Sequence, residues 1–125
     1  MTFTTTDAAA ILNAGRGTAY AAWTPYFCAF TASPTDTGSF ASEVTGGGYA
    51  RQAVTLAVPS AKATNGTTQL TFTATAGVVI THIGMADALT AGSLRRYVQL
   101  GTAVTVGSSG QVTVAATTGL TDTLA

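Results

Sequence analysis

Charge is what this sequence has least of. Five Lys plus Arg stand against five Asp plus Glu, and only 8% of the 125 residues are charged, against roughly 25% in an ordinary soluble domain. No basic cluster is present to neutralise phosphates, which argues against a nucleic-acid partner. Disorder is also disfavoured, since disordered chains combine low hydrophobicity with strong charge and here 46% of residues are hydrophobic. A single cysteine, Cys28, admits neither an internal disulfide nor a zinc motif. Lying in Pro-Tyr-Phe-Cys-Ala-Phe, it reads as a buried structural thiol. No apolar run approaches the roughly 18 residues of a membrane span. The N-terminus lacks a basic segment, and Ala8 to Leu12 is too short for the core of a secretion signal, so the expectation is a chain made in the cytoplasm. No cofactor motif is present.

What remains is a neutral, threonine-rich chain long enough to bury a core as one domain. Near-zero net charge favours association, so much of the surface is expected to be covered by partner chains. Thr6 or Asp7 can cap a short helix over Ala8 to Asn13, which Gly15 and Gly17 end. The segment from there to Ala22 either resumes as helix or stays irregular. Aromatic Tyr26 to Ala32, between Pro25 and Pro34, predicts a first strand. Ser33 to Gly48 reads as a long loop anchored by Phe40, and loops of that length are commonly functional or interfacial. Tyr49 to Val58 predicts a second strand, with Ala50, Gln52, Val54, Leu56 and Val58 on one side. Pro59 to Gly66 is turn-rich.

Gln69 to Thr75 alternates, with Leu70, Phe72 and Ala74 inward, and Val78 to Ala86 is the continuous apolar run of a strand buried on both faces. Leu94 to Leu100 follows a turn at Thr90 to Ser93. Val104 and Val106, the turn Gly107-Ser-Ser-Gly110, and Val112 and Val114 predict a closing hairpin, and Leu120 and Leu124 a last edge strand. Seven or eight short strands without crossover helices predict an all-β, antiparallel sandwich or jelly-roll-like domain. The expected division is an N-terminal arm with a short helix over 1–22 and the sandwich over 23–125.

The segment Ser42 to Ala57 concentrates the candidate site. Gly46, Gly47 and Gly48 form a hinge, with Glu43 before it and Tyr49 and Arg51 after it. The glycines let the backbone fold back so that Glu43 and Arg51 can meet, as a pair locking the loop or as a contact between subunits. Arg95 and Arg96 alternate faces on a regular strand. One of them, Arg95, either pairs with Asp87 across the Thr90–Ser93 turn or lies at a solvated edge. Trp23, Tyr26 and Phe27 read as core in preference to a sugar-stacking patch.

Catalysis finds no support. His82 and Asp87 fall on opposite faces of a strand, and no Gly-x-Ser-x-Gly elbow accompanies them. Asp7, Asp36, Glu43, Asp87 and Asp122 are too scattered for a glycosidase pair, and no metal-ligand cluster is spaced for binding. The expectation is no enzyme, no catalytic residues, no metal and no cofactor.

Ser33-Pro-Thr-Asp-Thr-Gly38, Glu43-Val44, Gly46-Gly-Gly-Tyr-Ala-Arg-Gln-Ala-Val54, the Asn65 to Thr75 stretch, Val79-Ile-Thr-His-Ile-Gly-Met-Ala-Asp-Ala88 and the Gly92-Ser93-Leu94 turn occur in an order that resembles a family of small virion proteins of tailed bacteriophages. The resemblance runs from about Ala22 to Leu120. Met85, where an aromatic or branched residue is usual, and Arg95-Arg96, in place of apolar residues, depart from the pattern. The resemblance implies a non-enzymatic β-sandwich on the phage particle, made in the host cytoplasm. The first expectation is a capsid decoration (cement) protein, a homotrimer bound to the major capsid protein through the N-terminal arm and the Ser33–Gly48 loop. The second is a tail-fibre or tail-appendage subunit bound to tail proteins. A carbohydrate-binding adhesion module is the third.

Overall fold

A computed structural model describes residues 1–60, 63–66, 69–114 and 121–123. In chain order the elements are β1 (Thr2–Phe3), α1 (Thr5–Gly15), β2 (Tyr26–Phe30), β3 (Gln52–Ala53), β4 (Ala63–Asn65), β5 (Leu70–Thr73), β6 (Val79–Ala86), β7 (Leu94–Thr105), β8 (Gln111–Val114) and β9 (Thr121–Thr123). A five-stranded sheet runs β1-β7-β6-β2-β3, and two ribbons pair β4 with β9 and β5 with β8. All these pairings are antiparallel. The protein is therefore an all-β, sandwich-like domain with one short helix.

The apolar segment Tyr26–Phe30 explains the layering, because four of its five residues are buried and a strand sends alternate side chains to opposite faces. Phe27 and Ala29 join a cluster with Leu70, Phe72 and Ala74 from the β5–β8 ribbon and with Ile80, Ile83 and Val106. The Phe27 and Phe72 rings lie 5.6 Å apart. Cys28 and Phe30 point the other way, into a second cluster with Ala86 and Leu94 that Phe40 covers. The expected inward set of β5 is buried as the alternation predicts, with Leu70 at 6%, Phe72 at 2% and Ala74 at 2% exposure. A register shift between Ile80 and His82 lets Ile80 and Ile83 share one cluster despite their odd spacing.

Three expectations are corrected. The helix begins at Thr5, not Ala8, and Thr4 is its N-cap, its hydroxyl accepting from the Asp7 amide. Tyr49 to Val58 is not a continuous strand: only Gln52–Ala53 pairs with β2, and Val58 is 90% exposed. The supposed closing hairpin is not one either. The turn is present, Gly110 N donating to Gly107 O at 3.0 Å, but Gln111–Val114 pairs with β5 and Val104 pairs with Ile80. The turn carries the chain from one layer to the other, because Val106 and Ala74 both have to reach the common core. Leu120 and Leu124 lie outside the described residues. The N-terminus is built into the main sheet, with Thr2 opposite Tyr97 and Phe3 opposite Arg96.

Candidate functional site

The strand that should complete the edge of β2 is interrupted. Glu43 bridges Phe30, and Gln52 pairs with Phe27 further along the same strand. The chain between them leaves the sheet and returns through the glycine hinge. Gly46, Gly47 and Gly48 all have positive φ, at 79°, 62° and 78°, which costs glycine little and a residue with Cβ much more. Gly47 also lies so close to the backbone just after β5 that a Cβ there would sit 2.3 Å from Thr75 N. The Gly48 carbonyl accepts from Thr73 Oγ1 at 2.8 Å, which ties the hinge to the ribbon.

Glu43 and Arg51 close the neck of this excursion. Arg51 Nε and Nη2 donate to Glu43 Oε1 and Oε2, each at 2.7 Å, in the two-pronged geometry that suits a guanidinium and a carboxylate. Arg51 Nη1 donates to the carbonyls of Ala88 at 2.9 Å and Ala91 at 2.8 Å. Its guanidinium lies 4.2 Å from the Phe40 ring centre, so Phe40 anchors the long loop by stacking on this cation. Tyr49 completes the unit. Its hydroxyl accepts from the Ala29 amide at 2.9 Å, a strand donor that the excursion leaves without a backbone partner, and donates to Glu43 Oε1 at 3.0 Å. The hydrogen bonds to Glu43 hold the Arg51 guanidinium protonated above its ordinary range, although burial opposes this. Burial pushes the Tyr49 phenol and the Cys28 thiol upward, so Cys28 is no nucleophile at neutral pH.

Asp87 and Arg95 pair across the turn, Arg95 Nε donating to Asp87 Oδ2 at 2.9 Å. Asp87 Oδ1 accepts from Ser93 N at 2.7 Å. Burial opposes the charge on Asp87, but the Ser93 amide and Arg95 outweigh it and hold the carboxyl below its ordinary range. The expected alternation of Arg95 and Arg96 fails, because a bulge opposite Met85 and Ala86 shifts the register from Met85↔Arg96 to Ala86↔Leu94. A bulge sets two consecutive side chains against one residue of the partner strand. Both arginines thereby reach Asp7, Arg96 Nε at 2.9 Å and Arg95 Nη1 at 3.6 Å.

Asp7 is fully buried and was not singled out for pairing from the sequence. It stands in the first turn of α1 and also accepts from Tyr20 OH at 2.5 Å, which accepts in turn from Trp23 Nε1 at 2.7 Å. An acid at a helix start is favoured by the helix dipole. Two adjacent arginines facing only one proposed carboxylate were the available hint of a second. Phe27 is core at 1% exposure, whereas Trp23 and Tyr26 are only half-buried. Trp23 has Arg95 and Arg96 each 5.7 Å from its ring centre. His82 Nδ1 meets Thr81 Oγ1 at 2.8 Å, and Asp87 is committed to its own turn. Among the described residues no group of three His, Cys, Asp or Glu gathers as metal ligands, and no helix is long and apolar enough to cross a membrane.

An antiparallel β domain whose described ion pairs pin loops to a sheet is organised as a structural module. The chain belongs to the family described as podophage GP4 fiber I protein gp80, whose family model matches residues 2–121. It is thus a phage virion structural protein of tail-fibre type. No curated protein matches the chain. Of the two particle locations expected from the sequence, the family favours the fibre over the capsid cement.

Proposed function

We propose that this protein is a non-enzymatic subunit of a phage fibre, assembling with copies of itself and with neighbouring tail proteins of the virion. The observation that carries the reading is the family match over residues 2–121. The chain's physical character supports it. A formal net charge of zero leaves no long-range repulsion between copies, and Leu12, Val58 and Leu89 are 72%, 90% and 52% exposed. The Glu43–Arg51 unit, with Gly46 to Gly48 and Tyr49, serves to hold the long loop and the 87–93 turn in one shape, ready to pack on a neighbour. Such preorganisation reduces the ordering cost of assembly. The proposed oligomer is a homotrimer.

Copy number per virion, measured by quantitative mass spectrometry against the major capsid protein, tests the location. A fibre subunit is expected at about a few to a few dozen copies, as closed rings around one tail require. A count in the hundreds would overturn the fibre reading in favour of a cement protein on the capsid lattice. Native mass spectrometry of the purified chain tests the trimer.

A further inference from the structure

Resting on the self-association proposed above, we propose that residues 1–20 dock on a neighbouring copy of this chain. Each subunit's Asp7 then enters the arginine pair of the next, and the copies are joined by exchanged N-terminal arms. The arm is a separable piece. The buried members of both apolar clusters all come from Phe27 onward, and Met1 packs only against the margin of one. Asp7 is the one buried residue of α1, so the helix has almost no core of its own.

Strand addition and polar contact hold the arm instead. β1 lies antiparallel along the outer edge of β7, and an added edge strand draws its affinity from main-chain bonds. Thr4 N donates to Arg95 O at 2.9 Å, and Thr4 Oγ1 donates to Leu94 O at 2.6 Å. Thr5 N donates to Asp36 O at 2.8 Å. The Arg96 guanidinium lies 4.9 Å from the Phe3 ring centre. Asp7, the one charged side chain before Arg16, is fully buried against Arg95 at 3.6 Å and Arg96 at 2.9 Å. In a chain with only 8% charged residues, this charge-complementary lock is a selective contact by which one copy can recognise another. Every group that receives the arm is present on every copy, so exchange preserves each of these contacts.

The hinge lies between the arm and β2. Among the described residues, no backbone group from residue 19 to residue 24 bonds to another backbone group. Ala21, Ala22 and Thr24 are exposed. Tyr20 bonds to Asp7 and travels with the arm. The chain is fixed again at Pro25, whose carbonyl accepts from Val54 N at 3.0 Å. Five extended steps from Tyr20 to Pro25 reach about 17 Å. That exceeds the radius of gyration of about 14 Å for a 125-residue domain, so a neighbour packed on this face is within reach. Exchanging an identical element is a low-cost route to assembly, and neighbours held together in a fibre supply the effective concentration. Passing each arm to the next copy is a head-to-tail contact, which a three-fold axis closes into a ring.

A disulfide trap in the full-length protein tests the exchange. Thr2 stands opposite Tyr97, and opposed residues of antiparallel strands lie about 4.5–5.5 Å apart at Cα, within disulfide reach. Thr2→Cys combined with Tyr97→Cys is oxidised in the native state, then denatured without reductant. Cys28 is buried and stays out of the reaction. The expected result is covalent multimers closing at three chains, with peptide mass spectrometry showing position 2 of one chain bridged to position 97 of another. Single chains closed by an internal 2–97 bridge would overturn the exchange. So would the absence of any bridge, because the Thr2–Tyr97 register underlies it. Native mass spectrometry of the unoxidised protein keeps the two readings apart. An oligomer whose oxidised chains are all internally bridged overturns arm exchange and leaves the fibre reading standing, since virion copy number decides that reading separately.

Discussion

Replacing Arg51 with alanine removes four hydrogen bonds at once, two to the Glu43 carboxylate and two to the carbonyls of Ala88 and Ala91. It also removes the cation from above the Phe40 ring. The Glu43 side chain is left 13% exposed with its charge unpaired, its remaining polar partner being the Tyr49 hydroxyl. Breaking a buried ion pair from one side costs about 3–5 kcal/mol. The lower end applies here, because partial exposure lets water reach the abandoned carboxylate. For 125 residues, at about 2.1 cal/mol/K of unfolding entropy each, a loss of about 3 kcal/mol lowers the melting temperature by about 11 °C.

Calorimetry and urea unfolding measure this, and hydrogen exchange localises it. The amides of residues 88–93 should lose protection well before those of β6, because the Ala91 φ of 53° is held partly by the bond from Arg51. In a double-mutant cycle, Glu43→Gln combined with Arg51→Ala should cost less than the sum of the two single changes, since the orphaned charge disappears. A loss below about 1 kcal/mol, the range of exposed pairs, would refute the view that this pair holds the loop.

Gly47→Ala should destabilise by about 1–3 kcal/mol, because its Cβ would lie 2.3 Å from Thr75 N at a positive φ; Gly15→Ala, with nothing within 4 Å, is the control in the same unfolding assay. Asp7→Ala should cost about 2 kcal/mol, less than the buried-pair range, because Arg95 and Arg96 remain 17% and 19% exposed; a melting temperature equal to wild type would refute the cluster's role. The folded pKa of Asp87 lies below its ordinary value of 3.8, so the folded state resists protonation. The stability it contributes is complete above that value and is lost as pH falls through the depressed folded pKa. Asp87→Asn should therefore flatten the acid limb of stability against pH, as read by urea midpoints between about pH 5 and pH 2.

Much of the domain was legible in local pattern. Strict alternation at Leu70, Phe72 and Ala74 named an inward face because side chains on a strand repeat every two residues. The continuous apolar run at Val78–Ala86 marked a strand covered on both sides, observed at Val79–Ala86. Glycines between an acid and a base marked a reversal that brings Glu43 to Arg51, since both partners lie within one loop and only backbone freedom is needed. Tertiary structure decided whatever depended on distant partners. The β5–β8 pairing replaced a local hairpin because burying Val106 and Ala74 in one core outweighs the shorter loop.

The Arg95–Arg96 bulge is invisible in a period-two pattern, and it alone turns both guanidinium groups toward Asp7, some ninety positions away in the chain. The half-exposed position of Trp23, read as core from its neighbours, likewise depends on how the chain before β2 lies across β7. Composition and short-range periodicity thus determined a net-neutral, charge-poor, antiparallel β domain with a locked glycine loop. Register, strand order and the buried Asp7 cluster were set by the tertiary structure, because they follow from free energies of contact between segments that no local window contains.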